Sequence, residues 1–286
     1  MVLACMKPDM RSNYECITVD IPESVRKCIE ALLSNYRKLL ESNLVGMYVH
    51  GSIAMGCFNP KSSDIDVLVV VTRPISNEVK KQLGRAHLEL SNTYQRNIEI
   101  SVITNETLRN FVYPTSYEFH YSDDHKQAYL DGTIDFETTK QDYDLAAHFV
   151  IVKKYGITLA GELAKTVFPD VPRKFYVDSI VRDSLWSYDN IMAGSEAGYC
   201  RVPQYAVLNF CRVLAFIEGG LVTSKQTGAE WAQKQLPSKF QDLIEVALSD
   251  YQITPSSSQV NARLLKEFAQ YVLDEISRFR LFTEND

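Results

Sequence analysis

Excess basic charge is what this chain most plainly lacks. Its 30 lysines and arginines face 36 aspartates and glutamates, giving a net charge of −6 over 286 residues, and neither half of the chain is basic. Proteins that grip nucleic-acid phosphates usually carry a basic stripe or tail, so no nucleic-acid partner is expected. Mild acidity suits instead a small cationic partner. Cysteine is short of pattern rather than of number. Cys5, Cys16, Cys28, Cys57, Cys200 and Cys211 form no C-x-x-C pair and no framework spacing, so they read as reduced, packed thiols. No apolar run approaches the ~18 residues of a membrane span, and the apolar stretch in Met1–Lys7 is too short for a secretory leader. The expectation is a cytoplasmic chain with no membrane partner, a monomer or weak dimer. Also absent are G-x-x-x-x-G-K-[ST], G-x-G-x-x-G, H-E-x-x-H and G-x-S-x-G, which argues against P-loop, dinucleotide-binding, zinc-protease and serine-hydrolase chemistry. The two tryptophans, Trp186 and Trp231, lie on helical patterns and are expected in a core. The five histidines (His50, His87, His120, His125, His148) show no metal-ligand spacing and read as surface or core residues.

What is present falls into two textures. Apolar residues at helical spacing from Pro22 to Ser42 predict an amphipathic helix. Val45–His50 reads as a strand broken by Gly51-Ser52. Ile65–Thr72 is an almost wholly apolar, hence buried, strand; Ser76–Tyr94 is helical; Ile98–Ile103 is a third strand in which Glu99 and Ser101 alternate with apolar residues. This alternation predicts an α/β (α+β) domain with a mixed sheet backed by helices. Beyond about residue 142 helical patterns dominate: 144–155, 173–192, 202–218, 230–236, 240–251 and 260–279. Pro255–Ser258 reads as a loop. The expectation is a first domain over residues 1–156 and an all-helical second domain over 157–286.

The chemistry concentrates in His50-Gly51-Ser52, followed after eleven residues by Asp64-Ile65-Asp66-Val67. A Gly-Ser pair at a strand end exposes backbone N–H groups and a hydroxyl, which suits phosphate oxygens. Asp64 and Asp66 are two apart on a strand and so share a face. Two neighbouring carboxylates repel unless a cation lies between them. Hard oxygen ligands of this kind fit Mg²⁺, which also takes oxygens from a nucleotide's phosphates, and two such ions can activate an attacking oxygen and stabilise departing pyrophosphate. Ser63 is read equally as a turn residue or as a second phosphate contact.

At these residues the sequence resembles the nucleotidyltransferase superfamily, and within it the aminoglycoside adenylyltransferases of the streptomycin/spectinomycin type. The stretch HGSIAMGCFNPKSSDIDVLVVVT carries the superfamily pattern. RNIEISVIT, DYDLAAHFVIVKKYGITLAG and VLNFCRVLAFIEGGLVTSKQTGAEWAQKQLP carry the branch, and the likeness runs from about Leu44 to Arg280. The resemblance implies Asp64 and Asp66 as catalytic metal ligands, Ser52 and Ser63 as phosphate contacts, and Glu99 as the base toward the acceptor hydroxyl. It further implies Arg212 and Lys225 on the phosphates of ATP, and Asp144 on the acceptor side of an interdomain cleft. On the residues alone Arg212 could simply cover its helix, Lys225 could be a loop residue, and Asp144 could be a helix N-terminal charge. One departure concerns the stretch Glu118–Asp124, where streptomycin-modifying members place a tryptophan: here Ser122 stands in that position, with Tyr121 beside it.

The reading is therefore transfer of AMP from ATP, with a pair of Mg²⁺ ions, to a hydroxyl of an aminoglycoside or aminocyclitol antibiotic, releasing pyrophosphate. Spectinomycin is favoured over streptomycin. Two alternatives stay open on the sequence: a different small-molecule or protein acceptor, and a non-catalytic nucleotide-binding regulatory protein. Glu99 separates the second from an enzyme, because a protein without turnover has no need of a carboxylate there.

Overall fold

The computed structural model describes residues 21–138, 140–196, 203–253 and 261–283. The Pro255–Ser258 stretch, the chain's first residues and Cys5, Cys16 and Cys200 lie outside them. Cys28, Cys57 and Cys211 are free thiols. No described helix is long and apolar enough to cross a membrane.

The chain divides into two compact units between Phe175 and Tyr176. In the first, helix α1 (Glu23–Leu40) leads into strand β1 (Leu44–Val49), the single-turn helix α2 (Gly51–Ala54) and strand β2 (Ile65–Val71). Helix α3 (Asn77–Tyr94), strand β3 (Ile98–Thr104) and the short helix α4 (Asn105–Arg109) follow. Then come strands β4 (Thr115–Tyr117) and β5 (Phe119–Tyr121), helix α5 (Lys126–Asp131), strand β6 (Lys140–Asp142), helix α6 (Leu145–Tyr155), strand β7 (Ile157–Ala160) and helix α7 (Ala164–Val167). The main sheet has the order β5-β3-β2-β1-β7, and β4 pairs with β6 in a separate ribbon. Strands β2 and β3 are parallel and the other pairs antiparallel, so the sheet is mixed, as expected.

Why β2 and β3 sit centrally follows from their composition. Strands covered on both faces read as continuous apolar runs, and Val67–Val71 and Ile100–Ile103 are buried throughout. One face meets α1, whose Val25, Cys28, Ile29, Leu32 and Tyr36 repeat at three- and four-residue steps, together with Leu83 and Leu90 of α3. The other carries Tyr48, Leu68, Val70 and Ile103 against Leu145, Phe149 and Val152 of α6. Each such side chain stabilises the fold by about 1.5–3 kcal/mol on burial.

The sequence-based boundary after residue 156 is corrected by strand β7. Its Thr158 and Ile157 pair with Tyr48 and Val49 of β1, so residues 157–175 belong to the first unit. The second unit takes nearly all of helix α8 (Arg173–Glu196), with α9 (Pro203–Gly219), α10 (Lys225–Gln235), α11 (Gln241–Ile253) and α12 (Ala262–Thr283). Helix α9 is buried almost all round, from Ala206 to Ile217, and is the core helix of this unit. Helix α10 begins five residues before the expected Glu230. Ser224 caps it in a reciprocal pair with Thr227. Gly228 inside it lets the helix approach Arg212 of α9, since a Cβ there would lie 3.0 Å from the Arg212 Cγ. Trp186 is 52 % exposed rather than in the core.

Candidate active site

The parity of the strands builds the site. Along β2, Asp66 shares a face with Leu68 and Val70; along β3, Glu99 shares it with Ser101 and Ile103. The apolar members of this face lie under α6, and the polar members stand at its end. Asp66 and Glu99 are direct partners in the parallel register, so they stand side by side on neighbouring strands, which are spaced about 4.8 Å apart. On the other side of Asp66, the His50 N–H donates to the Asp66 carbonyl (2.9 Å). At the far edge Ile100 pairs with Tyr121, and Ser122 continues extended (φ −146°, ψ 172°) at the level of Glu99. One row thus crosses the sheet in the order His50, Asp66, Glu99, Ser122.

Gly51 is required where it stands. Its φ of +57° is left-handed, and a Cβ built there would collide with the Asp66 carboxylate. The carboxylate therefore lies directly against the turn that exposes Gly51 and Ser52. The Ser52 Oγ is buried and has no hydrogen-bond partner among the described residues. A buried hydroxyl of that kind is costly unless a further group satisfies it. Ser63 closes the loop ahead of Asp64. Its Oγ accepts from the Asn59 N–H (3.0 Å) while its own N–H donates to the Asn59 carbonyl (2.9 Å).

For a divalent cation the donor set is Asp66 on the site face, Asp64 just ahead of the strand that carries it, and an unsatisfied hydroxyl in the adjoining turn. Among the described residues no three His, Cys, Asp or Glu side chains form a ready metal-holding group. A set of two fits Mg²⁺, which is usually held by one or two carboxylates and completes its shell with phosphate oxygens and water.

Four of the five histidines gather on this same face, which sequence spacing did not reveal. His50 is buried, and its ring lies 5.0 Å from that of His148 on α6. Burial, then His148, push its pKa well below the usual histidine value. His120 Nδ1 pairs with Ser101 Oγ (2.9 Å) and His125 Nδ1 with Ser122 Oγ (2.7 Å), and their rings meet edge-on at 5.0 Å. Burial, then His125, lower His120 to about 4; burial, then Lys140, lower His125. The missed signal was parity: His50 follows Val49 on the face of Tyr48. Strand β5, which aims His120, is only three residues long and shows no period. The fifth, His87, belongs to the opposite core and bonds the Tyr36 hydroxyl (2.9 Å). Tyr121 also lies in that core, stacked on His87 at 4.7 Å, and presents no ring to the site face. Asp144 is exposed at the N-terminus of α6, and its N–H donates to Asp142 Oδ1 (2.7 Å).

Within the second unit, Arg212 and Lys225 flank one turn. The Arg212 Nε–H donates to the Thr223 carbonyl (3.2 Å), and Lys225 Nζ lies 4.6 Å from the centre of the Tyr205 ring. Tyr205 OH and Asn209 Nδ2 both donate to the Asp183 carboxylate (2.9 and 2.7 Å). Lys225 is the first residue of α10 and not a loop residue.

The family model of the nucleotidyltransferase domain matches residues 25–126, which span the whole polar row. The chain is a nucleotidyltransferase. Residues 166–275 match the family model of the aminoglycoside adenylyltransferase C-terminal domain. A Klebsiella pneumoniae aminoglycoside (3'') (9) adenylyltransferase is 26 % identical over 245 residues, covering 84 % of this chain and 90 % of the relative. A Staphylococcus aureus (strain Mu50) spectinomycin 9-adenylyltransferase is 28 % identical over 220 residues, covering 75 % and 80 %. The fold also matches a crystal structure of the spectinomycin adenyltransferase AAD(9) from Enterococcus faecialis with ATP and spectinomycin, at TM-score 0.73, 20 % identity, and coverage of 88 % of this chain and 98 % of that one. The chain thus carries a nucleotidyltransferase domain followed by an aminoglycoside adenylyltransferase C-terminal domain, and it is an adenylyltransferase.

Proposed function

We propose that this enzyme transfers AMP from Mg-ATP to a hydroxyl of an aminocyclitol or aminoglycoside antibiotic, with spectinomycin favoured over streptomycin, and releases pyrophosphate. The observation that carries the reading is the register of Asp66 beside Glu99, against the Gly51 turn. The names of the relatives, aminoglycoside and spectinomycin adenylyltransferases, support the acceptor class.

In this reading Asp64 and Asp66 hold Mg²⁺, which supplies positive charge to the phosphates when bound. The Gly51-Ser52 turn offers N–H groups and the buried Ser52 hydroxyl to phosphate oxygens. Ser63 holds the loop that delivers Asp64 and adds a second phosphate contact. Glu99 accepts the proton of the acceptor hydroxyl as that oxygen attacks the α-phosphorus, and the bond to pyrophosphate breaks. Arg212 and Lys225 offset the triphosphate's negative charge, and Asp144 attracts a protonated amine of the acceptor.

The preference for spectinomycin follows from Ser122. Where streptomycin-modifying relatives are expected to place a tryptophan, a small hydroxyl offers no stacking surface for a larger drug, and Tyr121 is committed to the core. The test is incubation of the full chain with Mg-ATP and a panel of aminocyclitols and aminoglycosides, followed by mass spectrometry of the drug. Spectinomycin should gain one AMP, with one pyrophosphate released per drug modified, and streptomycin should react far more slowly. A panel in which no drug gains AMP overturns the acceptor class; equal rates on both drugs overturn the preference.

A further inference from the structure

The polar row has a direction. At one end lies the Gly51-Ser52 turn, then Asp66, then Glu99, then Ser122. If phosphates lie at the first end and Glu99 takes the proton, the acceptor lies on the far side of Glu99, toward β5. What the chain offers there is not Ser122 alone. His125, three residues on, turns its ring back to bond the Ser122 Oγ, and packs edge-on against His120, itself anchored on Ser101 two residues along β3 from Glu99. Each ring thus commits Nδ1 to a serine hydroxyl, which fixes the ring plane and leaves Nε2 to meet another polar group. An imidazole from position 125 thus stands against the Ser122 hydroxyl.

We infer that His125, steadied by His120, is the acceptor-recognition side chain beside Glu99, hydrogen-bonding a hydroxyl or amine of the aminocyclitol and setting affinity for it. The inference rests on the adenylyl transfer proposed above. Three further observations suit it. His125 is partly exposed and so reachable, whereas His50 and His87 are buried. Burial and Lys140 hold His125 toward the neutral form, which can accept from a protonated amine without charge repulsion. Both rings also border a small hollow of about 30 Å³, with Tyr117, Tyr129 and Phe136.

Steady-state kinetics on the full chain with spectinomycin test this. His125→Ala should raise the KM for spectinomycin about tenfold, the weight of one hydrogen bond to a charged group. The kcat and the KM for ATP should stay within about twofold. His125→Phe fills the same space without nitrogens and should leave the KM raised, giving the same reading in a second packing context. An unchanged spectinomycin KM, full recovery in His125→Phe, or a parallel rise in the ATP KM overturns the inference while the function stands. A wild-type enzyme that adenylylates no drug overturns the function and this inference with it.

Discussion

Asp66 bears on two neighbours at once, through its carboxylate against Gly51 and its register with Glu99. Asp66→Asn keeps size and loses charge, so turnover should fall on the order of 10²-fold or more while the circular dichroism spectrum is retained. Near-normal pyrophosphate release in that variant would remove Asp66 from the chemistry. Gly51→Ala is a sharper structural test. The substitution imposes a left-handed conformation costing roughly 1–2 kcal/mol and drives a methyl group into the Asp66 carboxylate. Both thermal stability and turnover should fall, turnover by more than tenfold; an active Gly51→Ala enzyme would show that the turn does not set the carboxylate. These two residues were legible in the sequence because Gly-Ser and Asp-x-Asp state their geometry locally. The histidines were not, because each owes its place to a partner far along the chain: His120 to Ser101 on β3, and His148 to His50 at the end of β1.

Strand β5 shows most briefly how two faces of one element do different work. Outward on the site face it carries His120; on the core face Phe119 and Tyr121 stack against His87. His87 is wholly buried, its pKa depressed to about 3 by burial and then by His120. A histidine depressed in the fold but ordinary when unfolded stabilises the fold fully above about 6.5, and that contribution drains as pH falls from there toward 3, because the unfolded chain takes up the proton first. Urea midpoints should therefore decline over this range. His87→Gln should flatten part of the slope, and an unaltered slope would mean that His87 titrates normally in the fold. Long elements such as α1, β2, α3 and α9 were legible from apolar spacing. The three-residue strands β4, β5 and β6 are too short to show a period. The polar first turn of α10 declares itself only through its Ser224–Thr227 cap.

At the scale of the whole molecule, each unit has its own core. Phe210 on α9 packs edge-on against Phe268, which meets Phe240, with all three buried. Phe210→Ala should destabilise the helical unit by about 3–5 kcal/mol, read as a lower midpoint in its unfolding transition; a shift under about 1 kcal/mol would mean that the core closes over the gap. The two-part organisation was visible as a change of texture, but its boundary was not. Strand β7 is four residues long, and its pairing with β1, together with Ala164 and Phe168 packed in the core of Tyr48 and Phe149, assigns residues 157–175 to the first unit. In the proposed reaction the row from the Gly51 turn through Asp66 to Glu99 performs adenylyl transfer, with Glu99 as the base. The most direct measurement pairs ATP affinity with turnover in Glu99→Gln. ATP binding should stay within a fewfold of wild type while turnover falls by about 10²–10⁴-fold. Unchanged turnover, or ATP binding that collapses together with it, would contradict that role.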